Sequence, residues 1–204
     1  MRRALQAAVL VGALVLMSGC AVVDHAGAAA TVDGQRLTTT QLSDEFTRLD
    51  TALGSQPKPA TMDQLNRVLL TLWIGDRVMQ RAVALNHLSI DKVATGKLHR
   101  QIEQQVGGAA KLDAYVASKG VPPNWLWMVL GNSVLTTQLG AKLIGGTDTT
   151  AQDNAANAYL QKLAETMDIQ VAPRFGAWEN SQMVVAATPN DLSVPVSPTS
   201  SSLG

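Results

Sequence analysis

The sequence predicts a mostly α-helical fold with a short β pair made by strands near its two ends, and three observations lead there. Residues 63–88, DQLNRVLLTLWIGDRVMQRAVALNHL, carry apolar side chains at steps of three, four and seven, the pattern of one long amphipathic helix. Shorter segments with helical spacing precede and follow it, separated by Gly pairs, Pro runs and hydroxyl or carboxylate caps. Strand signals are confined to residues 30–37 and 169–171, so the first and last strands are expected to be neighbours.

Taken in order, Asp33-Gly34 between Val32 and Leu37 is a hairpin-turn signal, because both residues tolerate positive φ. Thr38-Thr39-Thr40-Gln41 then opens a helix with a hydroxyl N-cap, and Leu42, Phe46, Leu49 and Leu53 form its apolar stripe. Pro57-Lys58-Pro59 is a loop, and Thr61 is placed to cap the long helix. In that helix Leu65, Val68, Leu69, Leu72, Met79, Ala82 and Val83 share one broad face, opposed by Asp63, Asn66, Arg77, Gln80, Arg81 and Ala84. Between Val68 and Ile74 apolar character runs almost all round, which suits a helix covered on more than one side. Its 26 residues extend roughly 39 Å at 1.5 Å per residue. Arg67, Asp76, Arg77 and Arg81 interrupt it too often for a membrane span.

Ser89 or Asp91 caps the next helix, with Val93, Leu98, Ile102 and Val106 expected inward and Gly107-Gly108 as its stop. A short helix follows with Leu112, Tyr115 and Val116 on one face and Gly120 at its C-terminal side. Val121-Pro122-Pro123-Asn124 is a rigid corner that launches a helix over residues 125–142. Gly145-Gly146-Thr147 separates it from a last helix over residues 150–167, with Ala156, Leu160, Leu163 and Met167 inward. Beyond Trp178 the chain is rich in Pro, Ser, Thr and Val, with Asp191 the one charge from Asn180 to Gly204. Residues 179–204 are therefore expected to form a disordered tail.

The 204 residues suit one domain with appendages. Formal charge is zero, and loss of Arg2 and Arg3 with the first 19 residues leaves 14 basic against 16 acidic side chains, a net of −2. No basic stripe implies nucleic acid. Cys20 is the sole cysteine, which excludes an internal disulfide and a zinc–thiolate cluster. It stands at an informative place. Met1-Arg2-Arg3 is a positive n-region, residues 4–16 are apolar apart from Gln6, and Leu16-Met17-Ser18-Gly19-Cys20 closes the segment as a signal peptide does. The small-small-Cys ending resembles the lipobox of bacterial lipoproteins, with Met17 where Leu is usual. That resemblance implies cleavage after residue 19, acylation of Cys20, a spacer over residues 20–29 and a body outside the cytoplasm, anchored to the cell membrane. Acyl chains contribute about 0.8 kcal/mol per buried CH₂, enough for a lasting anchor when two or three are attached.

Further motifs carry a second resemblance. Ala30-Thr31-Val32-Asp33-Gly34-Gln35-Arg36-Leu37-Thr38 before a helix is similar to the opening of SurA-type extracytoplasmic chaperones. Leu72-Trp73-Ile74-Gly75-Asp76, then Ala82 and Leu88-Ser89-Ile90-Asp91-Lys92-Val93, follow that family's helical pattern. Lys111-Leu112-Asp113-Ala114-Tyr115 resembles its short helix, and Val171-Ala172-Pro173-Arg174-Phe175-Gly176-Ala177-Trp178 its closing strand in actinobacterial lipoproteins. The resemblance implies a SurA N-terminal-like helical domain over residues 30–178. The parvulin-type isomerase domain common in SurA and PrsA relatives has no room between Met167 and Val171, so isomerase activity is not carried over.

Residue chemistry points to grip rather than reaction. His25, His87 and His99 have no partners at metal-ligand spacing, and no G-x-S-x-G elbow, P-loop or dinucleotide motif occurs. No enzyme activity, cofactor or metal is expected. Asp76 projects close to the apolar arc of the long helix, either as a polar contact in a groove or as a carboxylate paired with a basic residue of a neighbouring helix or lying at the edge of the packed face; the latter is favoured because a lone buried carboxylate is costly. Trp125-Leu126-Trp127-Met128-Val129-Leu130 covers every direction of a helix, so either neighbours surround this turn or part of it is exposed for binding. Trp125, Trp127, Met128 and Met79 are the candidate binding residues. The expected function is a holdase-type chaperone whose apolar helical groove takes unfolded or nascent secreted polypeptides. Rival readings are an envelope adaptor for one protein partner and a carrier of an apolar small molecule.

Overall fold

The structure is a computed structural model and describes residues 27–188. The signal segment, Cys20, His25, residues 20–26 of the spacer and residues 189–204 lie outside the described residues.

The chain opens with a hairpin of β1 (Ala28–Val32) and β2 (Gln35–Thr38). Its turn needs positive φ at both central residues, and Asp33 (47°) and Gly34 (79°) supply it. Six α-helices follow: α1 (Thr39–Leu53), α2 (Met62–Leu85), α3 (Lys92–Val106), α4 (Ala109–Ser118), α5 (Leu126–Ile144) and α6 (Thr149–Ala164). Three short strands close the body: β3 (Ile169–Val171), β4 (Ala177–Glu179) and β5 (Val184–Ala186). The fold is thus mostly helical with two small antiparallel sheets, ordered β2-β1-β3 and β4-β5. The expected neighbours do meet: Ala30, Thr31 and Val32 pair with Val171, Gln170 and Ile169.

Local chemistry explains the helix boundaries. Thr38 and Gln41 form a reciprocal capping box at α1, and Thr61 and Gln64 repeat it at α2. Asp91, rather than Ser89, caps α3 by accepting from the amides of Val93 and Ala94. Left-handed Gly107 (φ 87°) stops α3, and the Gly108 amide donates back to the Glu103 carbonyl at 2.8 Å. At the Pro corner, residues Pro123–Trp125 form a 3₁₀ turn before α5 begins.

The long α2 is the axis of the core. Leu69, Leu70, Trp73, Ile74, Val78, Met79 and Ala82 are buried against β1, α5, α6 and β5. Leu49, Leu53, Leu65 and Ala117 make a smaller cluster between α1, α2 and α4. Leu112, Val116, Leu126 and Leu130 make a third between α4 and α5, with Leu98, Ile102 and Val106 of α3 against it.

Several expectations need correction. The tail does not start at residue 179: Glu179 ends β4, and residues 184–186 form β5, which buries Val185 in the main core. The closing segment is not one strand, because Pro173–Phe175 turns as 3₁₀ helix between β3 and β4. The spacer's last two residues, Ala28 and Ala29, already belong to β1, and Ala29 is buried. Val93, expected inward, is 79% exposed in the first turn of α3, and Tyr115 is also exposed. Val68 and Leu72 fall beside the core face of α2; Val68 is exposed and Leu72 is half-buried.

Candidate functional site

Trp127 is the largest apolar side chain left open, 53% exposed in the first turn of α5. Its neighbours in sequence explain why. Leu126 and Leu130, one turn apart, point into the α4–α5 cluster, and half-buried Trp125 packs against the main core. Trp127 must then turn to the side where α3 passes. There its indole stacks on the His99 imidazole, with centroids 4.9 Å apart and planes 12° from parallel. The tip of the ring, Cη2, lies 3.9 Å from where a Cβ on Gly96 would sit.

The apolar face extends on both sides of the indole. One turn along α5, Gly131 is covered by Ile90, whose Cδ1 would be 2.6 Å from an added Cβ. Ile90 itself is 43% exposed. On α3, exposed Val93 lies one turn before Gly96. The Arg100 guanidinium lies 3.5 Å from the Gly96 Cβ position, and His99 Nδ1 is 3.8 Å from a Glu103 carboxylate oxygen. A stacked aromatic pair flanked by aliphatic groups and a charged rim can bind apolar or aromatic side chains.

The four candidate residues do not form one site. Trp127 is exposed, and Trp125 and Met128 are half-buried. Met79 is 3% exposed and sits in the main core, so it cannot line a surface groove; this corrects its assignment. The sequence reading missed His99 and Ile90. A lone histidine and a loop isoleucine carry no periodic signal, and only the packing of α3 and the loop before it on α5 brings His99 against Trp127 and Ile90 over Gly131.

Asp76 is 5% exposed and fully engaged. It accepts from Gln80 Nε2 at 2.7 Å and from Asn132 Nδ2 of α5 at 3.1 Å, and pairs with Arg77 at 3.1 Å. Arg77 also donates to Gln35 of β2 at 2.8 Å. The network ties hairpin, α2 and α5 together. The partner base is the next residue of the same helix, not a base from a neighbouring one. His87 is exposed at the end of α2 with φ 48°.

Among the described residues, no group of three His, Cys, Asp or Glu side chains is placed to hold a metal ion. No helix among them is long and apolar enough to cross a membrane. No family model, curated protein or solved structure matches the chain.

Proposed function

We propose that this chain is a lipid-anchored, extracytoplasmic binding protein of SurA N-terminal type, which holds extended polypeptide segments on the α3–α5 face and performs no isomerisation. The observation that carries the reading is the exposed Trp127 indole, held flat on His99 one helical turn before the Gly131 that Ile90 covers. A protein seldom leaves a large preorganised aromatic face in water unless the face has an occupant. The pairing of β1 with β3, which joins the two ends of the body, supports the likeness to the family's layout. Because unfolded clients lose freedom on binding, single contacts are weak and exchange quickly. An acylated Cys20 would keep that face at the membrane surface.

The test is a titration of the mature chain with several unrelated unfolded polypeptides. Trp127→Ala should weaken binding about tenfold or more, as for an aromatic anchor, with the helical circular dichroism unchanged. Binding equal to the parent would sink the reading. For the anchor, Cys20→Ser should move the protein from the membrane fraction to the soluble fraction.

A second reading is an adaptor for one folded protein that would use the same exposed indole. It predicts one stable co-purifying partner lost in Trp127→Ala and no affinity for unfolded chains.

A further inference from the structure

The Trp127 indole edge lies over a bare stretch of α3. Its Cη2 is 3.9 Å, and Arg100 Nη1 3.5 Å, from the Cβ position of Gly96, so the glycine leaves a notch between an aromatic edge and a cation. Lys92, Gly96 and Arg100 follow at steps of four residues and therefore share one side of α3. Each step rises about 6 Å along the helix.

Positive charge prevails around this notch. The loop before α3, α3 itself and α5 carry four basic side chains, Lys92, Lys97, Arg100 and Lys142, against two carboxylates, Asp91 and Glu103. Asp91 accepts from the Val93 and Ala94 amides at the helix cap, and Glu103 leans toward His99 at 3.8 Å. Lys142 donates to the Asn86 carbonyl, whereas Lys92, Lys97 and Arg100 make no ion pair among the described residues. Helix α4, which also packs on α3, adds one charge of each sign, Lys111 and Asp113.

We propose that the Trp127 face selects extended polypeptide segments in which an apolar or aromatic side chain has a carboxylate two residues to either side. Alternate residues of an extended chain point the same way and lie about 6.6 Å apart, close to the steps of about 6 Å from Lys92 to Gly96 to Arg100. The central side chain rests on the indole edge above Gly96, one carboxylate meets the Arg100 guanidinium and the other meets the Lys92 ammonium. Aromatic contact supplies most of the hold, and the charges supply selectivity and faster capture. This selectivity rests on the reading that Trp127 holds extended polypeptide, and it names which segments are held.

The test uses the mature chain and three synthetic Gly/Ser-rich peptides, alike except for Glu, Gln or Lys two residues to either side of a single Phe, titrated at low and at high salt. The Glu peptide should bind about tenfold tighter than the Lys peptide at low salt, with the Gln peptide between them, and the gap should shrink at high salt. Arg100→Gln should narrow the gap to about threefold or less, whereas Arg36→Gln on the hairpin should leave it as in the parent. Equal affinities for the three peptides, each still weakened by Trp127→Ala, would overturn the selectivity and leave the Trp127 site standing. A gap that Arg100→Gln does not change would overturn it too. Failure of every peptide to bind, or binding that Trp127→Ala does not weaken, would remove both the selectivity and the site.

Discussion

Asp33 and Asp168, 135 residues apart, bond to each other twice. The Asp33 amide donates to the Asp168 carbonyl at 2.9 Å, and the Asp168 amide donates to the Asp33 carboxylate at 2.9 Å. The turn of the first hairpin thereby receives the incoming end of β3. Asp33 also has φ 47°, which Asp and Asn accept more readily than most residues. Asp33→Ala is expected to lose about 1–2 kcal/mol in urea denaturation. Asp33→Asn, which keeps an acceptor oxygen and the turn, should stay within about 0.5 kcal/mol.

Two glycines on α5 should answer differently to the same change. A Cβ on Gly140 would run into the backbone carbonyl of Gln152, where α6 packs closest, and a backbone cannot step aside cheaply. A Cβ on Gly131 would meet only the tip of exposed Ile90. Gly140→Ala should cost about 1–3 kcal/mol, the range for overpacking. Gly131→Ala should be neutral or stabilising by up to about 1 kcal/mol, from helix propensity. Calorimetric melting of both variants checks the contrast.

Asp76→Ala would leave Gln80, Asn132 and Arg77 without their shared acceptor. The carboxylate is nearly buried but Arg77 is partly wet, so the expected loss is about 2–4 kcal/mol. Asp76→Asn keeps one acceptor oxygen and turns an amide toward donors, and should fall between parent and Asp76→Ala. Denaturant midpoints with unchanged slopes would fit this; Asp76→Ala as stable as the parent would not.

Met79→Ala and Trp127→Ala separate core from face. Met79 is buried, so truncation should cost about 2–5 kcal/mol. Trp127 is half in water and rests on one imidazole, so truncation should cost about 1 kcal/mol or less. A Trp127→Ala variant as unstable as Met79→Ala would show that the indole is part of the core.

Parts of this fold are legible in the residues themselves. Thr38 with Gln41 and Thr61 with Gln64 mark helix starts because the cap acts over three residues of chain. Asp33-Gly34 marks its turn for the same local reason. Periodicity also groups Leu69 and Met79 on one face of α2, but it does not say whether a partner or solvent lies across from it. That choice made Met79 a core residue and left Val93 in water. Hairpin β4–β5 escaped notice because three-residue strands are too short to show alternation, and low charge reads as a tail. Of the candidate face, Trp127 was visible as part of an apolar run; His99 and Ile90 reach it only through the packing of α3 and the loop before it on α5.

The place of β1 in the middle of its sheet has a kinetic consequence. One partner arrives within a few residues, the other only after nearly the whole body has been made. Closing a loop of this length costs on the order of 4 kcal/mol of chain entropy, and that cost must be met before the closing strand returns anything. The helices can assemble early, whereas β1 keeps a raw edge until Ile169 arrives, and during that interval the newborn chain is itself vulnerable to sticking.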